Sequence, residues 1–189
     1  MGSVNGIQIT DKHTVYIDNV TLEEVPESEL PTTPEVPAGE NMIANGDFAN
    51  AEANWEKAIT APGAAEVSFS DGKAVYDISN VGIADWNVQL KQAGLTLEQG
   101  ADYELSFTVK SSEARTIKAA LLSGAPSYTW YGGTDAILEK DVAKTVTVPI
   151  HVTEATNTDI SFVLSMGVID GVETPLSVIE IDDISLVKK

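Results

Sequence analysis

Beyond residue 40 the chain alternates apolar and polar side chains with a period of two. The pattern is clearest in KAVYDIS (73–79), YELSFTVK (103–110), KTVTVPIHV (144–152) and DISFVLSM (159–166). Each run is short, rich in Val, Ile, Thr and aromatics, and bounded by Gly, Pro, Asn or Asp. Successive side chains of a strand point to opposite faces, so these runs predict strands buried on one side. RTIKAALL (115–122) has helical propensity, but it is short and lies among strands, and it reads as a strand too. No long amphipathic helix is visible. About eight to ten short strands separated by turn residues predict an all-β fold, a β-sandwich or jelly roll of two antiparallel sheets.

The segments before residue 41 read differently. VPESELPTTPEVPAGE (25–40) has four prolines and four glutamates and almost no large apolar side chain. Proline favours extended backbone and like charges stretch it, so this is a semi-rigid linker. Upstream, VYIDNVTLEE (15–24) parallels IEIDDISLVK (179–188). Ile17, Asp18 and Leu22 match Ile181, Asp182 and Leu186. The repeat reads 4–24 as the terminal strand of a preceding homologous module, behind an expression remnant at Met1–Ser3. The organisation expected is remnant (1–24), linker (25–40) and one β-sandwich module (41–189).

With 189 residues the chain has room for one domain of ordinary size. Acids outnumber bases 29 to 11, a net charge of −18. That surface repels phosphate, which argues against nucleic acid and against an anionic membrane, and leaves neutral ligands and cations open. No cysteine is present, which removes disulfides and thiolate chemistry. No apolar run approaches a membrane span. The two histidines are His13 and His151, and no G-x-S-x-G, H-E-x-x-H or P-loop occurs. A positioned acid and base is therefore not signalled, and the expectation is a binding module rather than an enzyme.

Three stretches resemble the carbohydrate-binding modules of the family 4/9 group: NMIANGDFANAEANW (41–55), WNVQLKQAGLTLEQGADYELSFTVKSS (86–112) and the terminal IEIDDISLVKK. The resemblance runs in order across 41–189. It implies a jelly-roll module that holds a soluble or amorphous glycan chain, of β-glucan, xylan or mannan class, in a cleft. It also implies a secreted parent glycoside hydrolase with tandem modules. The alternative is the same sandwich used as a spacer or adhesion module of a cell-surface protein.

Sugars pack their C–H faces on aromatic rings and offer hydroxyls to amides and carboxylates. Trp86, between Asp85 and Asn87, is the first candidate. It shares the parity of Val88, so it reaches the surface only if the backbone departs from strand geometry before β-alternation begins. Gln89 lies on the opposite face from Val88 and Leu90. In SYTWYGG (127–133), alternation puts Tyr128 and Trp130 on one face and Tyr131 on the other. The stretch is either an aromatic plug or a second stacking platform. The resemblance implies sugar contacts from positions matching Trp86, Gln89, Tyr128 and Ser165, with Trp130 and Tyr131 as neighbouring candidates; Ser165 also reads as a satisfied strand hydroxyl. Some relatives carry an arginine where this chain has Gly133. Trp55, Tyr76 and Tyr103 read as structural. The resemblance further implies a structural Ca2+ at positions matching Asp47, Gly72 and Asp182, with 47 and 72 able to contribute carbonyl oxygens.

Overall fold

A computed structural model of the chain describes residues 3–4, 7–8, 37–172 and 174–189. The repeated stretch 15–24 and most of the linker lie outside the described residues. The chain divides into two compact units, Met1–Glu35 and Val36–Lys189. In the first, β1 (Ser3–Val4) pairs antiparallel with β2 (Ile7–Gln8).

The second unit contains ten strands: β3 (Glu56–Ile59), β4 (Ala64–Ser70), β5 (Lys73–Asn80), β6 (Val88–Leu97), β7 (Asp102–Ser111), β8 (Arg115–Ser123), β9 (Trp130–Leu138), β10 (Lys144–His151), β11 (Asn157–Ser165) and β12 (Val178–Lys188). They form two five-stranded antiparallel sheets, ordered β10-β7-β12-β5-β4 and β3-β6-β11-β8-β9. No α-helix occurs among the described residues, and RTIKAALL is strand β8. The fold is the β-sandwich that the alternation predicts.

The alternation places the core. Tyr103, Leu105, Phe107 and Val109 of β7 are buried, as are Ile117, Ala119 and Leu121 of β8. Strand β12 changes parity partway along. Ile179 and Ile181 face the core, and then Ile184 and Leu186 do. A register shift between Asp182 and Ser185, with Asp183 at φ 52°, absorbs the extra residue. The side chains of Asp182 and Asp183 therefore do not follow the simple opposed alternation of a regular strand.

Trp55 is buried as expected. Its indole N–H donates to the Asn45 carbonyl at 2.9 Å, and its ring meets Phe48 at 5.2 Å and the edge of Phe162 at 6.1 Å. Tyr76 and Tyr103 are also core residues. The Tyr76 hydroxyl donates to the Gln89 carbonyl at 3.3 Å, and the Glu98 amide donates to the Tyr103 hydroxyl at 3.0 Å. Burial raises both phenol pKa values; at Tyr103 the Glu98 charge adds to the shift, while the bond from the Glu98 amide and the Lys188 ammonium oppose it.

Candidate functional site

One face of the β3-β6-β11-β8-β9 sheet turns away from the core. Strand register lines up its outward residues. One row runs Ala58, Gln89, Ser165, Lys118, Asp135, and the next runs Glu56, Lys91, Val163, Ala120, Gly133. Gln89 Nε2 donates to Ser165 Oγ at 2.8 Å, and both residues are buried. Val163 and Ala120 are also buried although they lie outside the core cluster. The face thus has a low polar and apolar floor.

Trp86 stands at the entrance to β6 and is 59% exposed. Residues Asp85–Asn87 form a 3₁₀ turn, so Trp86 escapes the parity of Val88. Asn87 holds this turn. Its Oδ1 accepts from the amides of Ile83 and Ala84, both at 2.9 Å, and its Nδ2 donates to the carbonyls of Thr60 and Ala61 at 2.8 and 3.4 Å. A buried amide whose donors and acceptor all have backbone partners fixes one geometry. The loop that follows β11 supports the turn from below. The amides of Met166 and Val168 donate to the carbonyls of Val88 and Ala84, and a Cβ at Gly167 would meet the Ala84 carbonyl at 2.2 Å. Only glycine allows that approach.

The aromatic stretch lies at the far edge, on β9 and the loop before it. Tyr128 is 63% exposed and Trp130 is 48% exposed. Tyr131 corrects the expectation for this stretch. It turns into the core at 8% exposure, with its hydroxyl donating to the Ala155 carbonyl at 2.9 Å, so no ring face is open to ligand. The loop is neither wholly a plug nor wholly a platform, since alternation divides it. The departure at Gly133 has a steric reason. A Cβ there would meet the Ala119 carbonyl at 2.1 Å and the Trp130 ring at 2.9 Å. Trp130 therefore lies back over Gly133, toward the floor at Ala120. Gly133→Ala is expected to cost about 1–3 kcal/mol, through overpacking and a positive φ that disfavours a side chain. Thermal unfolding checks it, and an unchanged Tm would mean that the indole does not rest on this glycine.

Asp47, Gly72 and Asp182 come together on the opposite sheet. The Asp47 carbonyl oxygen is 3.3 Å from where a Cβ of Gly72 would sit. Asp182 is half-buried, and burial raises its carboxyl pKa. Its Oδ1 accepts from the Asp183 amide at 2.7 Å, which with the Lys73 ammonium opposes the shift, while the negative charges of Asp183 and Asp47 add to it. A partly desolvated carboxylate facing a like charge and a close carbonyl suits a hard cation. Among the described residues no three acidic or histidine side chains gather as a metal cluster, so any such site draws on carbonyls as well.

A family model described as carbohydrate binding domain, CBM_4_9, matches residues 40–175. The chain belongs to this family. As a carbohydrate-binding module it is a non-catalytic binding domain. Solved structures share its fold. A CBM4 structure is 24% identical with a TM-score of 0.66, covering 78% of this chain and 99% of its own. The N-terminal cellulose-binding domain of Cellulomonas fimi β-1,4-glucanase C is 20% identical with a TM-score of 0.58, covering 82% and 98%. An arabinose-bound α-L-arabinofuranosidase is 12% identical with a TM-score of 0.59, covering 80% of this chain and 27% of its own. Among curated proteins, none matches the chain in sequence.

Sequence reasoning missed three residues of this module. Asn87 gives no signal of its own, because two of its four partners, the Thr60 and Ala61 carbonyls, lie in another loop. Lys118 is one of many outward lysines until the register sets it beside Ser165 and Asp135. Arg115 did leave a signal: it occupies the core parity of β8. It is only 5% exposed. Its guanidinium donates to Met166 O, Gly167 O at 3.3 Å, Thr174 Oγ1 at 3.3 Å, Pro175 O at 3.1 Å and Ser177 Oγ at 2.9 Å. Nε has no partner, and burial lowers the pKa to about 10. Arg115 thereby ties down the loop that supports the Trp86 turn.

Proposed function

We propose that the module binds a soluble or amorphous polysaccharide of β-glucan or xylan class along the outward face of the β3-β6-β11-β8-β9 sheet. The observation that carries this is the exposure of Trp86 at the entrance to β6 and of Trp130 on the outward parity of β9, in the same sheet as the buried Gln89–Ser165 pair. The rings sit three strands apart, roughly 14 Å in the hydrogen-bonding direction, and Trp130, paired with Leu122, is offset by a further four residues, about 13 Å along the strands, from the Lys118 that aligns with Gln89. That spacing suits several consecutive sugars of one chain. Their C–H faces would rest on the rings, and their hydroxyls would meet Gln89, Ser165 and Tyr128. Mannan remains within the same chemistry. Affinity electrophoresis against soluble β-glucans, xylan and mannan tests the reading. Retardation by one polymer supports it, and retardation by none would turn the assignment toward a spacer or adhesion module.

The natural setting proposed is a secreted protein in which this module, tethered to a neighbouring homologous module through the Pro/Glu-rich linker, brings a glycoside hydrolase to its substrate. The arabinofuranosidase likeness, which covers about a quarter of that enzyme's length, supports an accessory role within a larger protein. No helix among the described residues is long and apolar enough to cross a membrane.

The Asp47, Gly72 and Asp182 corner is proposed to hold Ca2+. When bound, the ion would neutralise the crowded acids where the N-terminal segment meets β12. It lies on the sheet opposite the groove, so its role is stability. Chelation is expected to lower Tm by several degrees, following the mass-action loss of a native-state ligand, while leaving affinity of the folded protein within about twofold. A Tm unmoved by chelator would remove the calcium assignment.

A further inference from the structure

The outward row does not end at Gln89 and Ser165. It continues to Lys118 on β8 and Asp135 on β9. Lys118 Nζ lies 2.7 Å from Asp170 Oδ1, on the loop after β11, and 3.8 Å from Asp135 Oδ1. Asp85, next to Trp86, acts on the same ammonium. Among the described residues one base therefore faces three acids, and the corner is negative. Beside it opens a hollow of about 410 Å³, bounded by Thr116, Asp135, Ile137, Asp170, Val172 and Pro175. That size falls at the low end of the range of about 300–1,000 Å³ for small-ligand sites. Ile137 and Val172 are exposed apolar side chains on its wall. Arg115 also borders it, but its buried guanidinium is committed to the loop, so it offers no free cation to an anionic ligand.

An aliphatic wall beside carboxylate acceptors has a definite chemical preference. Sugar C–H faces can pack on Ile137 and Val172, and sugar hydroxyls can donate to Asp135 and Asp170. A uronate in the same place brings an acceptor against acceptors and a further negative charge beside two exposed carboxylates. We propose that this hollow is a further sugar subsite, continuous with the groove, which accepts a neutral sugar unit and rejects one carrying a carboxylate. The proposal rests on the glycan reading of the groove.

Matched polymer pairs test it with the full chain. Hydroxyethylcellulose against carboxymethylcellulose, and neutral arabinoxylan against glucuronoxylan, keep the backbone and change the charge. By calorimetry the anionic member should bind at least tenfold more weakly at about 10 mM salt. The ratio should narrow at about 0.5 M, where the Debye length has shrunk from roughly 30 Å to a few ångströms. The double substitution Asp135→Asn/Asp170→Asn should raise the anionic-to-neutral affinity ratio severalfold at low salt. The net charge of the whole chain also repels anions, so a control removes the same charge elsewhere. Glu66→Gln/Asp77→Asn lies on paired strands of the other sheet and should leave the ratio unchanged. Equal binding of both members of a pair would overturn the subsite proposal alone. Equal shifts from the two double variants would assign the effect to total charge and overturn it too. Binding of no neutral polymer would overturn the glycan reading and this proposal with it.

Discussion

Trp86→Ala is expected to weaken binding to the preferred polysaccharide by about thirtyfold while leaving the fold intact. The indole stands on a 3₁₀ turn at 59% exposure, outside the packed core. A stacked sugar would cover on the order of 80–100 Å² of its apolar surface, worth about 2 kcal/mol at roughly 25 cal/mol per Å². The folded state loses little, because an exposed side chain away from caps and core changes stability by less than about 0.5 kcal/mol. Affinity electrophoresis with a parallel melting curve separates the two effects. Unchanged affinity would take Trp86 out of the site. A large fall in Tm would mean that the indole supports the turn and is not an open platform.

Arg115→Ala has the largest expected effect on stability, about 3 kcal/mol, or roughly 6–12 °C in Tm for a domain of this size. Five acceptors lose a charged donor at once, and several of them are buried. The cost is offset in part because a desolvated charge with an unpartnered Nε is removed as well. Arg115→Lys should fall between the two, since one ammonium cannot reach acceptors spread from Met166 to Ser177. Glycan affinity should fall with stability, because the loop that Arg115 holds also donates to Ala84 and Val88 at the Trp86 turn. Hydrogen exchange would show faster opening of residues 81–88 and 166–177. A variant with unchanged Tm would show that the loop is held by its backbone bonds to the turn and not by the guanidinium.

Much of the architecture was legible because burial in a sandwich imposes a period of two on the chain. The runs at 73–79, 103–110 and 159–166 carry that period, and β8 follows it through Ile117, Ala119 and Leu121 despite a helical propensity. Propensity is a weak local preference, and the gain from burying one face of the strand overrides it. Alternation also divided SYTWYGG correctly, with Tyr128 and Trp130 outside. It was less informative about Tyr131, because an aromatic on the inward parity can serve the core or a cleft, and only its hydroxyl's bond to Ala155 distinguishes the two.

The candidate site was legible as residue types but not as a place. Gln89 and Ser165 are 76 positions apart and meet only because β6 and β11 pair in one register. Trp86 lies off the strand parity because Asn87 binds carbonyls at Thr60 and Ala61, in a loop that its own neighbourhood does not reveal. The bulge at Asp182–Asp183 likewise answers to packing on both sides of β12, not to any local preference of those two acids.

By itself the amino-acid order determined that residues 41–189 form strands of a sandwich, that the chain is strongly acidic, and that the aromatic and amide groups a glycan requires are present. Those properties reside in composition and short-range periodicity, which a linear chain carries directly. The tertiary structure alone decided which groups share a face. It left Trp86 and Trp130 exposed, withdrew Tyr131 into the core, brought Asp47 close to Gly72 and Asp182, and gathered Lys118, Asp135 and Asp170 beside a hollow. Each of these depends on strand register and long-range hydrogen bonds between segments far apart in sequence. Register is fixed by the summed packing of the whole core, so no single segment could have announced it.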